Sequence, residues 1–309
     1  MAGRYAVSPG ALVFTPLYGF DPGRRYVVTF DPGRLPPSQD AASWRRERIT
    51  AVVGRPKPVV SPSTYVDRVF PSGDVLPENQ LRLYVHFSAP MGLKGGVDYV
   101  RLLDGDGREV THAFLPLDAE FWNGDRTRYT LFFDPGRVKR GILPNEQLGR
   151  PLKRGGRYAL VVSSEWADAQ GLPLKATYRH AFRAGPADMR AIDPARWTVQ
   201  PPAAATRDPL VVVFPEPLDH GLLLRALGVA AGSGTTVGGW ADIAERETRW
   251  MFTPNEPWRT GDYRVVVLTI LEDLAGNRIG RSFEVDQFDR IDRSAEPESI
   301  SIPFQIAPR

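Results

Sequence analysis

Three short stretches of the chain set a carboxylate beside an indole: Glu120-Phe121-Trp122, Glu165-Trp166 with Asp168 two residues on, and Glu256-Pro257-Trp258. Glycoside hydrolysis uses two carboxyl groups about 5–10 Å apart, and an aromatic ring offers the sugar a platform. Glu120, Glu165 and Asp168, together with Asp134, are therefore the candidate catalytic carboxylates, and Trp122 and Trp166 the candidate platforms. Nothing in their spacing brings any two of the carboxylates together. A core or rim tryptophan beside a solvated glutamate produces the same pattern, because Trp is mostly buried on average.

A second set is cationic. Asp134-Pro135-Gly136-Arg137-Val138-Lys139-Arg140-Gly141 holds Arg137, Lys139 and Arg140 within four residues, a grouping able to receive a carboxylate or sulfate. These residues open a long insertion, Gly136 to Pro151, and long loops in compact domains are often functional. Of the histidines at 86, 112, 180 and 220, none stands in a spacing that chelates zinc locally, so a two-His site would have to be built by folding. His86 is kept as a ligand-contact candidate because it lies on the polar side of an alternating segment.

Asp104-Gly105-Asp106-Gly107 looks like half of a calcium loop, but the later Asp/Asn and the closing Glu are missing. Set between Tyr99–Leu103 and Glu109–Phe114, it reads as a hairpin turn. There is no G-x-S-x-G elbow, P-loop or dinucleotide fingerprint. Cysteine is absent, which excludes disulfides, thiolate metal sites and a Cys nucleophile. The expectation is no cofactor and no resident metal.

The elements that would position these groups are strands. Gly and Pro number 29 each in 309 residues, without a collagen period, and they punctuate short apolar runs in the manner of an all-β protein. Leu81, Leu83, Val85 and Phe87 alternate with Arg82, Tyr84 and His86, the period of a half-buried strand. A degenerate repeat runs through the chain. Each copy has an apolar strand ending in an aromatic, a Pro-containing turn, a Gly, and a Tyr opening a second apolar strand. The copies are 11–16 with 23–28, 129–135 with 155–162, and 250–254 with 261–267. Each reads as two neighbouring strands of a sandwich, with Tyr26, Tyr158 and Tyr263 placed as tyrosine corners.

The second and third copies are extended on both sides. Phe87-Ser88-Ala89-Pro90-Met91 and Phe214-Pro215-Glu216-Pro217-Leu218 lie in front, and Asp168-Ala169-Gln170-Gly171 and Asp273-Leu274-Ala275-Gly276-Asn277 lie behind. This order resembles the bacterial Ig-like domains of S-layer and other cell-surface proteins, over roughly residues 60–290. The second copy departs from it by its Gln-Gly turn and its insertion. The resemblance implies tandem Ig-like β-sandwiches with an N-terminal β-hairpin segment, and a secreted, periplasmic or cell-surface location. It supplies no catalytic residues.

The expected layout is 1–60 as a partial Ig-like segment, 61–187 as an Ig-like domain with the insertion, and 188–309 as an Ig-like domain plus a last strand at Ser299–Ile306. Short helices are expected at Asp40–Ile49 and Asp219–Leu227, each capped by its Asp, and a stiff linker over Gly54–Pro62. Residues 1–35 should belong to the folded body, because a lone hairpin is marginal in water. Prolines 186, 194, 201 and 202 should hold the two Ig-like domains in a fixed, rod-like arrangement.

The net charge of +3 is spread along the chain. Its densest basic clusters are Arg45-Arg46-Arg48, Arg137/Lys139/Arg140 and Lys153/Arg154/Arg157, which read as solvated loops, so no nucleic-acid partner is expected. No apolar run approaches the ~20 residues of a membrane span. Met1–Tyr5 shows no signal-peptide pattern, so the expectation is a chain without one. The leading reading is a non-catalytic cell-envelope or secreted Ig-like binding or scaffold protein contacting protein or glycan. The alternative is a polysaccharide hydrolase whose carboxylates and Trp meet in an inter-domain cleft.

Overall fold

A computed structural model describes residues 2–34, 47–56, 61–93, 95–116, 120–138, 143–283 and 298–308. The chain divides into two compact units, Met1–Ser61 and Pro62–Arg309. The protein is all-β, and Pro62–Arg309 is built from Ig-like sandwiches.

In the N-terminal unit, β1 (Gly3–Ser8) pairs antiparallel with β2 (Ala11–Pro16), and β3 (Arg25–Phe30) with β4 (Ile49–Gly54). The expected pairing of 11–16 with 23–28 is therefore replaced by two separate two-stranded sheets. The helix expected over 40–49 is corrected at its end, where Ile49 opens β4; its residues 40–46 lie outside the described residues. The linker expected from Gly54 begins with strand, since β4 runs through Gly54 and Arg55 bridges Pro22.

Among the described residues, the first sandwich of Pro62–Arg309 has β5 (Val66–Phe70), β6 (Val75–Pro77), β7 (Arg82–Phe87), β8 (Val100–Asp104), β9 (Phe121–Trp122), β10 (Arg128–Phe132), β11 (Arg157–Val162) and β12 (Tyr178–Gly185). They form sheets of order β5-β7-β10-β9 and β6-β12-β11-β8. The insertion contributes two short helices, α1 (Pro135–Val138) and α2 (Leu143–Leu148). The second sandwich has β13 (Thr198–Gln200), β14 (Leu210–Val213), α3 (His220–Ala226), β15 (Leu227–Ala231), β16 (Gly239–Ala244), β17 (Arg249–Pro254), β18 (Gly261–Leu268) and β19 (Ser299–Ile306). Its sheets are β13-β14-β17-β16 and β15-β18-β19. The expected last strand is β19, on the edge beside β18, and the expected second helix is α3.

The repeat has a different meaning from the one its spacing suggests. In the second and third copies the paired segments are β10 with β11 and β17 with β18, and in both the two strands lie in opposite sheets. A tyrosine braces each connection. Tyr158 accepts a hydrogen bond from the Lys153 amide at 2.8 Å, and Tyr26 accepts one from the Asp21 amide at 3.0 Å. Tyr263 accepts from the Arg259 amide and donates to the Arg259 carbonyl. A tyrosine corner pins a connection that crosses from one sheet to the other, so the strands on either side of it do not pair.

Each sandwich closes on its own core. Leu83, Val85, Phe87, Leu131, Phe133, Leu160 and Trp166 are buried in the first, and Leu210, Val212, Trp250, Val265, Val267 and Phe304 in the second. Leu274 belongs by sequence to the second sandwich, yet it is buried in the core of the first.

Candidate functional site

The turns flanking the sandwiches account for one candidate carboxylate at once. In the second sandwich Asp273 Oδ1 accepts from the amides of Ala275 and Asn277, and Gly276 takes φ +83°. In the first, Asp168 Oδ1 accepts from the amides of Gln170 and Leu172 while Gly171 takes φ +79°. Asp168 Oδ2 accepts from the Thr64 hydroxyl at 2.8 Å. Burial opposes ionisation of Asp168, but the bonds from Thr64, Leu172 and Gln170 outweigh it and hold the carboxyl below its usual value. Asp273 sits at the junction near Asp188, and there burial wins and pushes it up to about 7.

The other sequence candidates hold local contacts of their own. Glu120 Oε1 accepts from the Gly96 amide and Oε2 from the Trp122 indole at 3.0 Å. Asp134 caps α1, accepting from the Gly136 amide on its side chain and from the Arg137 and Val138 amides on its carbonyl. Glu165 is exposed. Trp166 is 1% exposed, packed against Phe87, Tyr99, Trp122 and Tyr129, so it has no ring face free for a sugar. Trp258 is likewise buried beside a solvated Glu256. Arg137 is a buried staple: its guanidinium donates to the carbonyls of Gly149, Thr111 and His112 and closes the insertion on itself. Lys139 and Arg140 lie outside the described residues. Asp104 Oδ1 accepts from the Asp106 and Arg108 amides, the geometry of a hairpin turn. Among the described residues no group of three or more His, Asp or Glu side chains is placed to hold a metal ion.

Where the chemistry concentrates is the seam between the two sandwiches. The residues of β7 that read as a solvated face, Arg82, Tyr84 and His86, are covered by α3 and its neighbours. Tyr84 donates to Asp219 Oδ1 at 2.7 Å, and the same oxygen caps α3 through the Leu222 amide. Arg82 lies between Asp219, at 3.3 Å, and Glu272, and Arg278 also binds Glu272. Both carboxylates are under a tenth exposed. A Cβ on Gly221 would stand 2.7 Å from the Tyr84 ring, so only glycine lets α3 lie this close.

Further along, His220 stacks on Phe70 with ring centres 3.5 Å apart and meets His86 edge-on at 5.8 Å. Burial first, and the neighbouring His220 second, lower His86 to about 4, so it is neutral at physiological pH. Glu247, held at φ +61°, accepts from both the amide and the hydroxyl of Ser72 in the first sandwich. Asn79 exchanges two hydrogen bonds with the Asp188 backbone, and Asn277 donates to that same carbonyl. These polar contacts couple the sandwiches through side chains.

At the open end of the seam is a recess of about 150 Å³. Arg82, Tyr84, Phe121, Trp122, Arg128 and Arg225 are among its walls. Of the sequence candidates, Trp122 reaches it. Arg128 and Arg225 belong to no motif; the sequence signal for Arg128 is its place on the polar side of the alternating segment Arg128–Phe132. No described helix is long and apolar enough to cross a membrane.

Comparison with known proteins yields no matching family model and no matching curated protein. Similar solved structures include native alpha-2-macroglobulin from Escherichia coli spanning domains MG0-NIE-MG1, at 11% identity and TM-score 0.25, covering 79% of this chain and 71% of that one. Domains 1–6 of the surface layer protein SbsC match at 8% identity and TM-score 0.28, covering 81% of this chain and 41% of that one. The titin domains z1z2 in complex with telethonin match at 10% identity and TM-score 0.21, over 81% of this chain and 98% of that one. At these scores the functional reading rests on the residues of this chain.

Proposed function

We propose that the chain is a non-catalytic binding and scaffold module of the bacterial cell envelope or of the secreted fraction, contacting protein or glycan. The observation that carries this reading is the state of the candidate carboxylates. Glu120, Asp134 and Asp168 each hold hydrogen bonds that shape a turn, a cap or a strand start. A general acid and base need free oxygens facing one substrate bond, and these groups are held in three different local structures. Two sandwiches fastened by buried polar contacts suit a rigid presenting surface. The Ig-like order of motifs supports the envelope location.

A screen of purified protein against a broad glycan panel and chromogenic glycosides tests the reading. The expected result is retention of one or more ligands without turnover. Turnover abolished by Glu120→Gln or Asp168→Asn, with folding intact, would replace it with the hydrolase reading.

A further inference from the structure

We propose that the recess between the β7–β10–β9 face and α3 is a receptor for the carboxylate of an acidic glycan, a hexuronate-containing chain being the ligand class it fits. This deepens the binding-module reading and rests on it.

Arg82 and Arg278 stand against Asp219 and Glu272, so two cations balance two carboxylates and leave this part of the seam neutral. Arg128 on β10 and Arg225 in the last turn of α3 are additional. Among the described residues neither guanidinium has an acidic or hydrogen-bonding partner, and the Nε of Arg128 is shielded from solvent without one. A buried donor left unsatisfied carries its desolvation cost unreturned. An anion seated in the recess would remove that cost, since a guanidinium fork matches a carboxylate in shape and charge.

The walls narrow the ligand class. Phe121 is 48% exposed, and its partner across the strand pair, Thr130, lies on the same side of the sheet as Arg128. The head of Arg128 stands 5.5 Å above the Tyr84 ring, a cation–π contact that favours this position. A pyranose ring has one face of C–H bonds that covers an exposed aromatic ring, and a hexuronate carries its carboxylate at the edge of that ring. A recess of about 150 Å³ takes the carboxylate and the nearest ring atoms, with the rest of the chain running over the open surface.

Calorimetry on the full chain with four probes tests the proposal: an oligogalacturonide, a neutral galactose oligosaccharide of equal length, sodium sulfate, and a short Glu-rich peptide. Binding is expected for the oligogalacturonide and not for the neutral sugar, and it should weaken as salt is raised. Arg128→Gln and Arg225→Gln should each weaken it about 10-fold, the size of one lost charge-assisted bond. The exposed Arg196→Gln should leave it unchanged. Arg225 lies on an exposed helix face, so its variant reads the site even if Arg128→Gln perturbs the strand, and Arg128→Lys keeps the charge while removing the fork. No binding of any anionic probe, or binding indifferent to both arginine variants, overturns the proposal. Binding of the peptide alone overturns the glycan assignment, and binding of sulfate alone reduces the recess to a simple anion site and overturns it too. If neutral glycans bind elsewhere and the variants have no effect, the recess proposal fails while the module reading stands; turnover of a glycoside would sink the module reading itself.

Discussion

Replacing Arg82 by Met is the sharpest test of how the two sandwiches are held. The guanidinium is 12% exposed and sits between Asp219 and Glu272, which are 3% and 9% exposed. Methionine fills much of the same volume and removes the charge. Glu272 keeps Arg278, but Asp219 loses its cation and retains only the Tyr84 hydroxyl and the Leu222 amide. Breaking a buried pair by removing one partner costs about 3–5 kcal/mol. For a unit of this size each kcal/mol is worth about 2–4 °C, so thermal unfolding should shift down by roughly 10 °C. Limited proteolysis should also find the 186–202 segment more readily as the seam loosens. Adding Asp219→Asn to Arg82→Met should recover much of the loss, because the uncompensated charge is then gone. A fall of under about 2 °C for Arg82→Met, or no recovery in the double variant, would show that the seam does not depend on this cluster.

Gly221→Ala should destabilise although it adds a better helix former. The new methyl meets the Tyr84 ring at 2.7 Å, and overpacking of about 1–3 kcal/mol outweighs a propensity gain of about 1; an unchanged or higher melting temperature refutes the close-approach argument. Asp273 has a folded value near 7, above its unfolded value, so folding favours its protonated form. Its contribution is complete below about pH 4 and is lost as pH rises to about 7, worth up to about 4 kcal/mol. Stability of wild type minus Asp273→Asn, measured by urea unfolding across that range, should decline with pH; a flat or rising difference contradicts the burial of that carboxyl.

Much of the architecture is legible in the residue order. Alternation marks Arg82–Phe87 as a strand, Asp219 caps its helix, Ser299–Ile306 is a strand, and the three tyrosines bind backbone four or five residues upstream. These are local properties: a period, a cap, a turn that only certain side chains can make. What the tertiary structure decides is which surfaces meet. Alternation assigns Arg82, Tyr84 and His86 to the face away from their own core, and it is silent on whether water or another sandwich lies there. Here a second sandwich covers them, and the polar face becomes a buried seam. The same gap explains the carboxylate–indole pairs. Sequence places Glu120 beside Trp122 and Asp168 beside Trp166, but the free valences of an oxygen depend on amides brought from Gly96 and on a hydroxyl from Thr64, 104 residues before Asp168. Arg128 and Arg225 are ordinary surface arginines by sequence, 97 positions apart, and only the packing of α3 across β10 makes them two sides of one recess.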